Sequence, residues 1–239
     1  MKNNNKFRLD VWGAITLGTI ALYALFLLYP MAYMIRQSVL DPDTGGFTLA
    51  YFTKFFSKSY YFDTLINSFK VSITATVLSI AIGTPLAYLF TIFKIKGKSV
   101  LNILIVVASM SAPFIGAYSW ILLLGRSGVI TAFFKNLGIA IPDIYGFGGI
   151  VLVMTLQLFP LVFLYAKGAL KNIDNSLIEA AENLGCSGIA CFFKVVVPLI
   201  MPTLLAAALL VFMRSFADFG TPMLIGEGYR TFPVVLYTE

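Results

Sequence analysis

Glu179-Ala180-Ala181 is followed after three residues by Gly185, and after nine more by Val195-Val196-Val197-Pro198. That spacing suits neither an acid–base pair nor a nucleophile with its base. It suits a short, capped helix that offers a surface. Ser176-x-x-Glu179 reads as a capping box, in which the hydroxyl accepts from the Glu179 amide and the carboxylate returns to the Ser176 amide. Leu177, Ala181 and Leu184 stand at i, i+4 and i+7 and share one face. Gly185 stands where a left-handed C-terminal cap is usual. The predicted helix runs from Leu177 to Leu184, about two turns. Isolated helices under roughly 12 residues are marginal in water, so this one needs something to lean on. Ala180 and Ala181 let a backbone approach closely, and Glu179 offers a charge. The chemistry expected is docking. Histidine is absent and Cys186 and Cys191 are the two cysteines, which excludes His/Cys zinc clusters and His-based acid–base catalysis. No catalytic residue, metal site or cofactor is expected.

The elements around this helix must be membrane spans. Hydrophobic residues make up 59% of the 239 and charged residues 12%, about half the charge of an average soluble domain. Apolar runs cover approximately 11–35, 71–93, 100–124, 147–166 and 195–213, and a spanning helix needs roughly 20 residues. The fold class is therefore all-α, a polytopic membrane helix bundle. Lysine and arginine set its orientation. Lys2, Lys6 and Arg8 precede the first run, Lys94, Lys96 and Lys98 crowd the turn 94–99, and Lys167, Lys171 and Lys194 flank the loop 167–194. These dense basic segments predict a cytoplasmic N-terminus (residues 1–10), a first transmembrane helix at 11–35, and a core at 64–239 whose loop 167–194 faces the cytosol. The net charge of +6 is read as topology, not nucleic-acid binding, and the membrane lipid is the expected solvent. In that cytosolic loop both cysteines are expected to stay reduced as small packing residues.

No run has an ionisable residue near its middle, and Gln157 is the most polar side chain at depth. Ion-coupled carriers and pumps usually need buried charge in the bilayer, so the energy is expected to come from outside the membrane domain. Arg214 and Asp218 lie four apart at the outer end, where they could pair as an interfacial anchor or form part of an outer mouth. Asn67, Lys70 and Arg126 carry the same two readings. Gly83, Pro85, Gly116 and Pro160 read as close packing or bends within spans. Pro198 and Pro202 open the last run, and Pro202 is expected to kink it. Gly220, Pro222, Gly226 and Gly228 favour an irregular outer loop or a broken interfacial segment before FPVVLYTE enters another element.

The Glu-Ala-Ala…Gly…Val-x-Val-Pro pattern resembles the EAA loop of the membrane subunits of ABC importers. Residues 67–90 resemble the span that begins the core of such permeases. The stretches 112–131 and 215–237 resemble a narrower group, the permeases of ferric-iron importers, N-terminal half. Permeases for aminoethylphosphonate, putrescine/spermidine and thiamine share the broader architecture. The resemblance implies a type I (MetI-like) bundle with the sixth core helix missing from this chain. It implies a cytoplasmic ABC ATPase dimer, an extracytoplasmic solute-binding protein and a second permease half, fused or separate, as partners. Ser176, Glu179, Ala180, Ala181, Leu184, Gly185 and Pro198 would then dock the ATPase, which would carry out hydrolysis. An ion-coupled carrier or channel is the rival of another class.

Overall fold

The computed structural model describes residues 11–41, 44–93, 96–110, 112–139 and 142–238. Residues 1–10 and Lys94, whose charges entered the topology reading, lie outside the described residues. The chain divides into two compact units at Phe62/Asp63.

The first unit opens with α1 (Val11–Tyr23), a π-helical turn at Ala24–Leu28 and α2 (Tyr29–Ser38), and closes with α3 (Ala50–Ser57) and the start of α4 (Ser59–Ile92). α1 through α2 make one apolar helix of 28 residues. At about 1.5 Å per residue it is long enough to cross a bilayer. α1 and α2 bury no residue, so their large apolar side chains are exposed. Pro30 explains the π turn. Proline has no N–H and its ring crowds the carbonyl four residues back. The amide of Tyr29 instead reaches back five residues to the Ala24 carbonyl.

The second unit contains the rest of α4, then α5 (Lys98–Ser109), α6 (Pro113–Leu124), α7 (Val129–Asn136), α8 (Phe147–Lys171) and α9 (Asn175–Asn183). After α9 come α10 (Gly188–Cys191), a π turn at Phe192–Val196, α11 (Val197–Phe216), α12 (Gly220–Ile225) and α13 (Phe232–Thr238). α8 is the central post, packed against α5, α6, α11 and α12. α4 reaches it through small residues: Ala75, Ser79, Gly83 and Ala87, each four apart, are all buried. A Cβ on Gly83 would lie 2.9 Å from the Phe159 carbonyl oxygen and 3.0 Å from the Phe163 nitrogen, both backbone atoms. Nothing larger than glycine fits, and this is the close packing the sequence suggests at that position.

Two apolar clusters lie along α8. One joins Ala87 and Phe90 of α4 to Val162, Phe163 and Ala166 of α8 and Ile200 of α11. The other joins Val71 and Ala75 to Ala117, Ile150, Met154 and Ile225.

Five helices among the described residues are long and apolar enough to span a bilayer, but the third is not the one the hydropathy suggests. The run 100–124 is broken. α5 stops at Ser109 and a new helix begins at Pro113, with Ala112 extended (φ −68°, ψ 141°). Proline is favoured at the first helical position and pushes its predecessor out of the helical region. The third long apolar helical stretch is therefore Pro113–Asn136, α6 with α7. The tail is also more regular than its glycines suggest, since α12 packs against α6 and α8 with Pro222 buried inside it.

Candidate docking helix and charged cavity

α9 starts two residues before the predicted first residue, because its cap is Asp174, not Ser176. The Asp174 Oδ1 accepts from the Ser176 amide at 3.0 Å, and its carbonyl accepts from the Leu177 amide at 3.1 Å. An aspartate bonding the second helical amide is a favoured N-cap, and its charge suits the positive helix end. The Ser176 amide in turn holds the Asp174 carboxyl below the usual carboxylate range. The expected capping box is thus not formed. Its return amide is already taken, and the exposed Glu179 carboxylate has no hydrogen bond or ion pair among the described residues.

The other end of α9 follows the sequence closely. Gly185 is left-handed (φ +85°), and the Cys186 amide donates to the Ala181 carbonyl at 3.0 Å. This six-to-one bond with a glycine at C′ is the Schellman termination. Ile178 turns inward onto the cluster of α4, α8 and α11, while Leu177 is half exposed. Leu184 is 88% exposed, and Ile189 and Phe193 beyond it are also exposed. Ala180 is exposed and Ala181 half-buried. α9 packs against α10 and the π turn that opens the last span.

That π turn changes the place of Pro198. The helix is continuous from Gly188 to Phe216, so Pro198 stands inside it, at the start of its regular part. The Val197 amide bonds the Phe192 carbonyl five residues back, as Tyr29 does before Pro30. Phe192 and Val196 are buried, so the turn nearest α9 is locked into the bundle. Cys191 is also buried, and neither Cys186 nor Cys191 is in a disulfide among the described residues.

Arg214 and Asp218 do not pair in an ion bridge. Asp218 instead accepts from the Gly220 amide at 2.9 Å and the Thr221 hydroxyl at 2.6 Å, bonding the first turn of α12. Burial pushes its carboxyl up, against the opposing pull of those two donors. Both residues line one cavity of about 450 Å³, together with Gln157, Ser109, Phe114 and Phe219. The cavity sits where α5 breaks to α6 and where α11 breaks to α12. The buried Gln157 Nε2 there has no hydrogen-bond partner.

A second charged device pairs residues that sequence reasoning left apart. The Arg126 guanidinium bonds Asp143 and Glu227, each at 2.9 Å, and lies 4.7 Å over the Tyr145 ring. Asn67 donates to the Arg230 carbonyl at 3.1 Å, tying the same tail to α4. With partners 17 and 101 residues away, no local pattern could have found the Arg126 network.

Residues 44–238 match the family described as the binding-protein-dependent transport system inner membrane component. The chain belongs to this family. It is 28% identical over 240 residues to the ferric transport system permease protein FbpB of Actinobacillus pleuropneumoniae, covering 99% of this chain and 34% of that one. It is also 28% identical to the spermidine/putrescine transport system permease protein PotB of Haemophilus influenzae, covering 93% of this chain and 79% of that one. The chain spans about a third of the length of the ferric permeases it matches. Its fold is that of ABC importer permeases. It superposes with a TM-score of 0.77, at 16% identity, on a chain of a bacterial alginate ABC transporter solved in complex with an alginate pentasaccharide-bound periplasmic protein. That match covers 95% of this chain and 82% of the other.

Proposed function

We propose that this chain is the membrane-spanning permease subunit of an ATP-driven importer working by alternating access, with a cytoplasmic N-terminus. The observation that carries the reading is α9 itself. It is a short helix, capped at both ends, with a carboxylate at Glu179 that has no partner among the described residues, an exposed apolar side chain at Leu184, and a base on the π turn of the last span. An ATPase dimer closing on that surface would move Glu179, Ala180, Ala181 and Gly185 as a unit. Because Phe192 and Val196 are buried in the bundle, the motion would pass through Pro198 into α11. Ser176 supports the helix from its first turn and is not its cap. A solute-binding protein would deliver cargo at the opposite end, where the cavity of Arg214 and Asp218 opens, and a second permease half would complete the path. Hydrolysis would belong to the ATPase.

Ferric iron is the cargo favoured by the ferric permease relatives and by the stretches 112–131 and 215–237. Polyamine is the second reading, supported by relatives of similar identity whose length this chain more nearly spans. Uptake of radiolabelled ferric iron against spermidine, putrescine, aminoethylphosphonate and thiamine separates them, using the full-length permease with its partners. Iron uptake alone is expected, and uptake of polyamine without iron would overturn the cargo while leaving the importer. Docking is tested by Gly185→Asp, which places a charge at a left-handed position beside the exposed face. ATPase co-purification and transport should both be lost; survival of both would sink the coupling reading.

A further inference from the structure

Three of the lysines read as topology signals converge on a site that neither docking nor the mouth uses. Lys98 at the start of α5 and Lys167 and Lys171 at the end of α8 line one cavity of about 500 Å³. Thr91, Ser99 and Asn102 add polar groups, and no acidic side chain lines it among the described residues. Lys98 and Lys171 both repel the Lys167 ammonium. Lys98 and Lys167 are half-buried, and none of the three has an ion pair among the described residues. What Lys167 does have is the Asn102 side-chain oxygen and the face of Phe163, which orient the ammonium without neutralising it. Crowding three like charges around one cavity, two of them half-buried, is costly unless an anion joins them.

The wall of the cavity indicates which anion. Ile103 lines it and is 59% exposed, and Val100, Leu104 and Val107 continue the same exposed apolar face of α5 at helical spacing. A polar pocket of positive charge thus runs into a stripe fit for hydrocarbon. A free phosphate would use the first and leave the second bare. We infer that this cavity binds the phosphate headgroup of an anionic phospholipid, with an acyl chain lying along α5. Basic pockets between spanning helices near the membrane surface hold anionic headgroups by this chemistry. The inference needs these helices to lie in a bilayer and does not depend on the cargo or on the ATPase.

Native mass spectrometry of the full-length protein, equilibrated with phosphatidylglycerol or phosphatidylcholine, tests it. Phosphatidylglycerol should be retained preferentially, with retention falling about fivefold for each lysine changed in the series Lys98→Gln, Lys167→Gln, Lys171→Gln. Phosphatidylcholine retention should not change. The corresponding Lys→Arg triple variant should keep phosphatidylglycerol, which separates loss of charge from loss of fold. Equal retention of the two lipids, or a Lys→Gln series that leaves phosphatidylglycerol bound, would overturn the site. Displacement by excess inorganic phosphate would make it a free-anion site instead. Loss of ATPase co-purification with lipid retention intact would make the cluster a protein contact.

Discussion

At the end of the second unit that carries α9, the chain settles its backbone locally and leaves apolar side chains bare. Asp174 and Gly185 close the two ends of one helix, yet Leu184 and Ile189 stand in solvent. At the end that carries α12, the bonds come from far away in sequence. The Ile225 carbonyl accepts from the Gly146 amide at 2.9 Å, the Phe232 amide donates to the Ser68 hydroxyl at 2.8 Å, and Ile225 itself is fully buried. The first end is a locally finished element with exposed apolar side chains. The second is completed only by its neighbours, and its open feature is a cavity.

This contrast predicts where stability and function separate. Ile225→Ala should be the most damaging of the changes considered, about 2–5 kcal/mol, because it opens a void among α4, α6 and α8. Denaturant unfolding in detergent measures it, and a loss under about 1 kcal/mol would mean that the α12 end is less tightly joined than its burial implies. Ser68→Ala should cost about 1 kcal/mol, the usual net worth of one hydrogen bond. Its signature is faster hydrogen exchange at the Phe232 amide, with exchange in α9 unchanged.

Asp218→Asn sharpens the comparison through pH. Burial raises the carboxyl in the folded state, so the wild type is most stable below the ordinary carboxylate pKa and loses that share as pH rises through the raised value. The amide keeps one oxygen for the Gly220 amide, turns its NH2 to the Thr221 hydroxyl, which can accept from it, and carries no charge. Its melting temperature at neutral pH should equal or exceed wild type, with a flatter profile on the acid side; an unchanged profile would show that Asp218 does not titrate there. The smallest stability effect belongs to Leu184→Glu, within about 0.5 kcal/mol because the side chain is 88% exposed. ATPase co-purification should nevertheless fail. A variant that binds normally would remove Leu184 from the docking face.

The α9 end was largely legible because its determinants are neighbours in sequence. Gly185 was read correctly since a left-handed C-cap depends on a few adjacent residues. The N-cap differs because Asp174 offers an acceptor two residues earlier, and its Oδ1 takes the Ser176 amide that the capping box would need. The break at Pro113 had a signal, the proline itself, but apolar residues on both sides hid it from hydropathy. Glu227 and Asp143 carried no signal at all, since an ion pair across 101 or 17 residues is a product of packing.

By itself the sequence determined a polytopic helical membrane protein, the short helix α9 between its last two long apolar runs, and the glycine that ends that helix. These follow from hydropathy, short-range capping and side-chain size, all of which act over a few residues. The tertiary structure decided that Arg214 and Asp218 share a cavity without pairing, that Arg126 bridges two loops, and that Lys98 joins Lys167 and Lys171. Each depends on helices distant in sequence being brought within a few ångströms, and packing along α8 sets those distances.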